Sequence, residues 1–223
     1  MKVIKAHIRS ACSLFLILCA SQLVWGQNVD PTTNYFISGQ GVAPWEFSLQ
    51  FGQVKLENNS GKTIKGALKA SPAKRHAEGD SIRLKWTPKD VRTEWGSQNE
   101  NIYYATLNNG AKHFDLSSVK DQAALVFDVR VIKAPKDHVN ISMESGWDWK
   151  TRSSIPIKAP LKKLPKKKWV SFPVPLQCFD NGKLDFSKIT TVFMLNTSDK
   201  MELEIGDIRL AAFPADKVTC AKR

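Results

Sequence analysis

The pattern that most constrains this sequence is a succession of short runs in which every second residue is apolar. In the first run Trp45, Phe47, Leu49 and Phe51 would share one face, which is the period of a half-buried β-strand. No stripe with a 3.6-residue period is present, so the pattern predicts an all-β fold, an antiparallel β-sandwich or jelly roll of about nine to eleven strands. Short helical turns are predicted at 115–120 and 185–187. The further strand-like runs lie at 63–68, 81–86, 101–107, 123–132, 139–143, 169–172, 191–195 and 201–205.

The beginning of the chain has the composition of a signal peptide. Lys2, Lys5 and Arg9 precede an apolar run from Ala11 to Trp25, and small residues near Gly26 favour cleavage after that residue. The alternative is a membrane anchor, but the run is shorter than the roughly 20 apolar residues of a span and no stop-transfer charges follow it. We therefore expect a periplasmic or extracellular protein without an integral membrane span. The expected organisation is a signal peptide at 1–26, an N-terminal segment at 27–43 and one domain at 44–223.

The chain is strongly basic, with 33 Lys and Arg against 21 Asp and Glu and a net charge of +12. Removal of the signal peptide takes three positive charges with it and leaves +9. A basic surplus often indicates nucleic-acid binding. Since an exported protein does not meet chromosomal DNA, we expect no nucleic-acid partner here.

Six of the lysines lie within 158–168, which we call the lysine-rich segment. Three interpretations of it remain open. It is a solvated connector, kept out of a helix by its two prolines; or it binds an anionic glycan or envelope phosphate; or it contacts an anionic membrane surface, where each basic residue contributes about 1 kcal/mol. Aromatic residues do not alternate with the lysines, unlike in single-stranded nucleic-acid binders. The candidate contact residues are Lys162, Lys163, Lys166, Lys167 and Lys168.

Two cysteines would remain after cleavage, Cys178 and Cys220, because Cys12 and Cys19 lie in the signal peptide. An even pair in an oxidising compartment predicts a disulfide bond. This bond would close a loop of about 40 residues and stabilise the fold by roughly 2–4 kcal/mol. No Cys-x-x-Cys motif is present, which disfavours a redox or zinc role.

The C-terminal part of the chain carries a distinctive set of motifs. They are a Trp-led, proline-containing stretch ending in Cys-Phe at 169–179, an acidic-apolar-Ser turn within 182–189, a strand at 193–197, the stretch Leu-Glu-Ile-Gly-Asp-Ile-Arg-Leu at 203–210, and Cys220. This set resembles the ExoP-type galactose-binding-like module, found at the C-terminal end of certain family 3 β-glucosidases and exo-β-glucanases. The segment from Asp80 to Trp86 resembles an earlier part of the same module. The resemblance covers residues 45–220 and implies a galactose-binding-like jelly roll with a sugar-related role.

The sequence departs from that family in three ways. It lacks the two additional central cysteines, and Trp147-Asp-Trp149 occupies their region. Trp86 is followed by Thr-Pro instead of Ser-Gly. No glycosidase domain precedes the module in this sequence, so the resemblance does not imply hydrolysis by this chain.

Carbohydrate binding is the function that the aromatic residues favour. Sugar rings present apolar C–H faces that stack on aromatic rings, while carboxylates and amides bind the hydroxyl groups. In an extended segment, two tryptophans two residues apart would lie on one face. The alternative is that these tryptophans are core or edge residues, and core packing is our prediction for Trp45, Trp86 and Trp169. The candidate binding residues are Trp147, Trp149, Asp148, Glu144 and, as a second platform, Trp95.

Neither a catalytic site nor a required cofactor is indicated. Glycosidases need two carboxyl groups about 5–9 Å apart, and no spacing singles out such a pair. The three histidines beyond the signal peptide have no Ser or Cys nucleophile motif beside them. A structural calcium ion is a candidate, because Asp207 lies where jelly-roll sugar modules place a ligand and Glu46 would meet it. The alternative is that Asp207 is a plain exposed carboxylate on a strand.

These observations lead to one hypothesis and one alternative. The hypothesis is an exported, non-catalytic carbohydrate-binding module that binds a β-glucan-like polysaccharide by aromatic stacking. The alternative is an accessory or structural envelope protein that binds a protein or an anionic polymer through the lysine-rich segment. Salt separates them, because stacking persists at high ionic strength whereas a contact made by lysines weakens.

Overall fold

A computed structural model describes residues 29–92 and 100–220 of the chain. Within these residues the helical content is one short α-helix, α1 (Lys158–Lys163), and several single 3-10 turns. The same residues form fourteen strands: β1 Asn34–Ile37, β2 Gln40–Gly41, β3 Glu46–Leu49, β4 Val54–Lys55, β5 Gly61–Lys62, β6 Leu68–Lys74, β7 Glu78–Trp86, β8 Tyr104–Asn108, β9 Ala123–Lys133, β10 Val139–Ser145, β11 Ser153–Pro156, β12 Trp169–Pro175, β13 Ile189–Thr197 and β14 Met201–Ala212.

The strands form two antiparallel sheets that face each other. The larger sheet has the order β12-β9-β14-β7-β6-β5, with β1 beside β14 and β2 beside β1. The smaller sheet has the order β11-β10-β13-β8-β3-β4. Consecutive strands such as β12 and β13 lie in different sheets, so the connections cross between the layers as in a jelly roll. The predicted antiparallel β-sandwich is thereby confirmed.

The core lies between the two sheets and is made by alternate residues of the strands. Phe127 of β9 and Phe193 of β13 are fully buried and meet across the layers, with ring centroids 5.3 Å apart. Trp45 and Trp86 are also buried, as predicted, and their indole N–H groups donate to backbone carbonyls at 2.8 and 2.6 Å. Because these hydrogen bonds satisfy the polar edge of each ring, both indoles stabilise the core by their full apolar area.

The sandwich includes chain segments that the alternation did not predict. Residues 34–41, assigned to the N-terminal segment, contribute β1 and β2, and Tyr35 and Phe36 are fully buried. The strands β4, β5, β6 and β11 were also not predicted. They are short or rich in small and polar residues, so their pairing with neighbouring strands, and not an apolar period, determines them.

Three local conformations differ from the predictions. Residues 63–68 form a 3-10 turn followed by the start of β6 instead of a strand. Phe51 does not continue the inward face of β3, because Gln50 and Phe51 adopt left-handed backbone conformations with φ of 54° and 53°. The prolines do not keep the lysine-rich segment out of a helix: Pro160 is the third residue of α1, in the first turn, where a backbone N–H has no helical acceptor.

The outer face of the larger sheet carries a buried carboxylate. Asp128 of β9 points away from the core, yet it is only 1% exposed. It accepts hydrogen bonds from Arg75 at 2.6 Å, Arg209 at 3.1 Å and the Ser171 hydroxyl at 2.5 Å. These groups cover the carboxylate and supply the partners that a buried charge requires.

Trp169 also lies on this outer face, so the prediction that it packs in the core is wrong. The register pairs it with Arg130 of β9, whose chain neighbours Val129 and Val131 face the core. Directly paired residues point to the same side of a sheet, which places the indole outside. The guanidinium groups of Arg75 and Arg130 lie 5.8 and 5.3 Å from its ring centroid, a cation–π arrangement.

The predicted disulfide bond between Cys178 and Cys220 is present. Cys178 lies in the 3-10 turn after β12, and Cys220 follows 42 residues later, beyond the end of β14. The bond therefore attaches the C-terminal segment to the edge of the larger sheet. Among the described helices, none has the length and apolar character needed to cross a membrane.

Candidate functional site

An open groove with a volume of about 470 Å³ lies against the outer face of the smaller sheet. Three of its lining side chains are aromatic and three carry hydrogen-bonding groups. Trp147 and Trp149 are 51% and 69% exposed, which is unusual for such large apolar side chains. The groove therefore combines flat apolar surfaces with donors and acceptors. Its lining residues are Phe51, Asn101, Glu144, Trp147, Trp149 and Arg152.

The first of these indoles is held firmly in place. Trp147 has a left-handed backbone conformation with φ of 52°, and Gly146 before it has φ of 64°. Its indole N–H donates to the Asn109 carbonyl at 2.8 Å, and its ring lies 4.5 Å from that of His113. The backbone N–H donates to the Thr190 hydroxyl at 3.1 Å. These contacts fix the orientation of a ring that is still half exposed.

The second indole belongs to a 3-10 turn at Trp149–Thr151. Asp148 caps this turn, since its side chain accepts from the Lys150 N–H at 2.9 Å. The segment is thus a tight turn and not extended, so the premise that placed Trp147 and Trp149 on one face of a strand is wrong. Both rings nevertheless line the same groove, whereas the Asp148 carboxylate is used by the turn and does not line it.

The polar part of the groove is an ion pair. Glu144 is 8% exposed, and the Arg152 guanidinium lies 3.0 Å from its carboxylate. The same guanidinium lies 4.8 Å from the ring centroid of Phe51 and 5.4 Å from that of Tyr104. These two rings are 4.7 Å apart. Arg152 therefore links the carboxylate to an aromatic pair, and it presents the remaining edge of its planar guanidinium to the groove.

Sequence reasoning identified Glu144, Trp147 and Trp149 but missed Phe51 and Arg152. The sequence feature that could have identified Phe51 as a groove residue is the Gly-Gln that follows it. Gly52 has φ of 85° and lies in the turn after the strand. The signal for Arg152 was the hairpin: β10 pairs with β11, with Met143 opposite Ser153, and this register brings Arg152 beside Glu144. Trp95, the proposed second platform, falls in 93–99, outside the described residues.

The two proposed calcium ligands have other partners. Asp207 of β14 lies 3.3 Å from the Arg75 guanidinium and accepts the Ser38 backbone N–H at 3.0 Å. Glu46 of β3 belongs to the other sheet and pairs with Lys55 at 3.6 Å. Within 29–92 and 100–220, no three His, Cys, Asp or Glu side chains lie close enough together to hold a metal ion. An arginine beside Asp207 already supplies positive charge there, so these residues do not fit a calcium ion.

The lysine-rich segment packs against the body of the domain while its lysine side chains face solvent. Leu161 of α1 is fully buried and Leu164 packs against the core. The Lys167 backbone N–H donates to the Val131 carbonyl of β9 at 2.9 Å. The segment thus crosses from β11 at the edge of the smaller sheet to β12 at the edge of the larger one. All five candidate lysines, Lys162, Lys163, Lys166, Lys167 and Lys168, have exposed side chains.

Several solved structures share this fold. The extra C-terminal domain of the exo-1,3/1,4-β-glucanase ExoP from a Pseudoalteromonas species has a TM-score of 0.62 and 18% identity, over 85% of this chain and 99% of that domain. The whole enzyme has a TM-score of 0.60 and 20% identity over 87% of this chain, which spans only 22% of the enzyme. A family 30 carbohydrate-binding module has a TM-score of 0.50 and 15% identity, over 80% of this chain and 87% of the module. At these identities the likeness establishes a shared fold.

Sequence comparison gives the family. No curated protein sequence matches the chain significantly. The Exop_C family model, described as galactose-binding domain-like, matches residues 43–210. This range covers well over half of the chain and contains the motifs on which the resemblance was based, apart from Cys220, so the chain belongs to the Exop_C family of galactose-binding domain-like proteins.

Proposed function

We propose that this protein is a non-catalytic carbohydrate-binding module and that the groove beside Trp147 and Trp149 binds a β-glucan-like polysaccharide. The observation that carries the proposal is the pair of exposed indoles in one groove with the Glu144–Arg152 ion pair. Exposed apolar surface that is flanked by polar groups is typical of interaction and ligand-binding sites.

The chemistry of the groove suits a sugar ring. The indole faces offer the flat apolar surface on which the C–H face of a pyranose stacks, while Glu144 accepts and Arg152 donates hydrogen bonds to hydroxyl groups. Because the ion pair and the Trp147 contacts already fix these groups, binding orders few side chains. The groove is open, so it accommodates an internal stretch of a chain as well as its end.

The backbone of Trp147 supports a binding role for its side chain. A left-handed conformation is disfavoured for a bulky residue and is adopted more readily by Gly or Asn. Such strain persists where the surrounding structure enforces it, and it concentrates at functional sites. We infer that the Trp147 indole at this strained position serves to bind a ligand.

The preference for a β-glucan rests on the relatives. The most informative of the similar structures is, by its name, part of an enzyme that acts on 1,3/1,4-β-glucan. Hydrolysis itself is not part of the proposal. Among the described residues, Glu144 is the one carboxylate that lines the groove, whereas glycosidases use two.

Affinity electrophoresis tests the proposal. The protein without residues 1–26 is run in native gels with soluble 1,3/1,4-β-glucan, 1,3-β-glucan or hydroxyethylcellulose, and with dextran as an unrelated glucan. We expect a β-glucan to retard the wild type and Trp147→Ala/Trp149→Ala to abolish the retardation. Ile64→Ala is the matched control, because Ile64 is 51% exposed but does not line the groove. Equal mobility of the wild type with and without every β-glucan would refute the proposal.

We further propose that the protein is exported, with cleavage after Gly26, to the periplasm or the extracellular space. The disulfide bond supports this location, because such bonds persist in oxidising compartments. Cell fractionation followed by N-terminal sequencing tests the proposal. A mature chain that begins at Gln27 in the exported fraction is expected, and an uncleaved chain in the cytoplasmic fraction would contradict it.

A further inference from the structure

A row of lysines crosses the outer face of the larger sheet. The register places Lys62 of β5 directly opposite Lys69 of β6, and Lys69 directly opposite Lys85 of β7. The row continues through Glu202 of β14 to Lys133 of β9. All four lysine side chains are exposed. With strands about 4.8 Å apart, the row spans about 19 Å of the sheet from β5 to β9.

The charges of this row are not balanced. Among the described residues, no ion pair involves any of the four lysines, and Glu202 lies 3.8 Å from the guanidinium of Arg83 instead. Like charges directly opposite each other on neighbouring strands are destabilising. Two such pairs in succession, Lys62–Lys69 and Lys69–Lys85, therefore weaken the unliganded fold.

The adjacent row on the same face shows the contrast. There Glu204 of β14 is fully buried between Arg83 and Arg130, its register partners on β7 and β9. Both arginines bond to its carboxylate, Arg83 at 2.6 Å. The acid compensates the arginines of that row and makes it a structural ion-pair cluster. The lysine row has a single acid, Glu202, against four lysines, and this acid lies nearer to Arg83 than to the lysines, so the row keeps a positive charge that is directed to solvent.

The lysine-rich segment extends the row. The hydrogen bond from the Lys167 N–H to the Val131 carbonyl places this segment beside the end of β9, where Lys133 lies. The next position across the sheet, beside Lys133, is therefore occupied by the three residues that precede β12, namely Lys166, Lys167 and Lys168. The lysine row and these three residues together form a cationic track, with Glu202 between Lys85 and Lys133, and we call it the lysine track.

We propose that the lysine track binds a linear acidic polysaccharide. On β5, β6 and β7 its lysines recur at the spacing of neighbouring strands, which is comparable with the advance of a polysaccharide per sugar, and after Glu202 they resume at Lys133. Carboxylate or sulfate groups along the polymer would neutralise them. A track suits an extended polymer better than a compact anion. The site is on the opposite sheet from the groove of Trp147 and Trp149 and does not depend on it.

The surroundings favour a glycan over other polyanions. The exposed large apolar side chains of the described chain are Ile64, Trp147 and Trp149, and none of them belongs to the track. Membrane-surface binding gains strength from apolar residues inserted beside the basic ones, and single-stranded nucleic acid needs aromatic platforms. Trp169, which follows Lys168 in the chain, has its ring flanked by Arg75 and Arg130.

Binding to polygalacturonate and dextran sulfate tests the proposal, with neutral dextran as the uncharged reference. We expect the wild type to bind both polyanions at low salt and Lys69→Gln/Lys85→Gln to lose at least about tenfold in affinity. The matched control is Lys183→Gln/Lys217→Gln, which removes the same charge from exposed positions outside the track. It should change the affinity less than about twofold. Trp147→Ala/Trp149→Ala should bind the polyanions as the wild type does, so failure of the groove and failure of the track are distinguishable.

Three results would overturn the proposal. The first is the absence of polyanion binding by the wild type. The second is an equal loss of affinity in Lys69→Gln/Lys85→Gln and in the control variant. The third is tighter binding to phosphatidylglycerol vesicles or oligonucleotides than to the acidic polysaccharides.

A second measurement concerns the free protein. Lys69→Gln should raise its Tm at low salt by about 1 °C or more, because it relieves repulsion from both neighbours. A lower Tm would show that the charges are compensated, contrary to the proposal.

Discussion

The guanidinium of Arg152 stacks 4.8 Å from the ring centroid of Phe51. Arg152 precedes β11, whereas Phe51 follows β3 on the far side of the smaller sheet. Their contact spans the strands between them, and the salt bridge of Arg152 with Glu144 continues it to β10. The floor of the groove is thus a single connected unit, and we expect changes in it to affect stability and binding together.

Removal of the arginine should leave a nearly buried carboxylate without its partner. We expect Arg152→Ala to lower the free energy of unfolding by about 1–3 kcal/mol, because Glu144 loses its charged donor. Urea denaturation measures this change. The double variant Arg152→Met/Glu144→Gln removes both charges and should recover part of the loss. If the double variant is no more stable than Arg152→Ala, loss of the ion pair is not the cause of the lowered stability.

The two exposed tryptophans should differ in their effect on stability. Trp149→Ala should weaken glucan binding and change the free energy of unfolding by less than about 0.5 kcal/mol, because the side chain is 69% exposed. Trp147→Ala should weaken binding and also cost about 1 kcal/mol or more, because the bond to the Asn109 carbonyl is lost. Thermal melts and affinity gels on the same samples compare the two effects. Equal Tm values for the two variants would contradict this difference.

Asp80 should make stability depend on pH in the acid range. Burial acts to raise its pKa, but hydrogen bonds from the backbone N–H groups of Ala77, Arg75 and His76 outweigh burial and lower the pKa from 3.8 to about 2. A carboxyl group with a lowered pKa stabilises the fold at pH values above 3.8, and this stabilisation is lost as the pH falls to about 2.

Comparison with Asp80→Asn isolates this effect from other acidic groups. We expect the variant to be less stable than the wild type at pH 7, and the difference to shrink between pH 4 and pH 2, the interval between the unfolded and folded pKa values. Urea unfolding across this range is the measurement. A difference that stays constant with pH would show that the charge of Asp80 is unimportant to the hairpin of β6 and β7.

The disulfide bond should contribute to stability through the chain that it closes. We expect Cys178→Ser/Cys220→Ser to lower the free energy of unfolding by roughly 2–4 kcal/mol. The reduced wild type should behave like the variant, since both lack the bond. At temperatures below its own Tm, we expect the variant to bind glucan as the wild type does, because neither cysteine lines the groove.

Removal of divalent metal should leave the Tm unchanged. Asp207 is paired with Arg75 and Glu46 with Lys55, so neither carboxylate depends on a calcium ion for its charge compensation. Dialysis against EDTA followed by a thermal melt, with and without added Ca²⁺, is the measurement. A rise in Tm on Ca²⁺ addition that Asp207→Asn abolishes would instead establish the structural calcium site.

Much of this molecule follows from the sequence alone. The period of two at Trp45, Phe47 and Leu49 predicts the inward face of β3, because side chains alternate across a strand wherever the strand is regular. The period does not indicate where the regular strand ends, so the prediction that Phe51 shares the inward face of β3 is wrong. The two cysteines predicted the disulfide bond, because the other two cysteines of the chain, Cys12 and Cys19, lie in the predicted signal peptide.

The tertiary structure decided which distant residues meet. Glu144 and Arg152 become partners through the β10–β11 hairpin, and Phe51 joins them only because β3 lies in the same sheet. Lys62, Lys69, Lys85 and Lys133 share no pattern along the sequence, and the order β9-β14-β7-β6-β5 aligns them. Local preference determines strands and their faces, but strand order and register depend on long-range pairing, for which a single sequence carries no local signal.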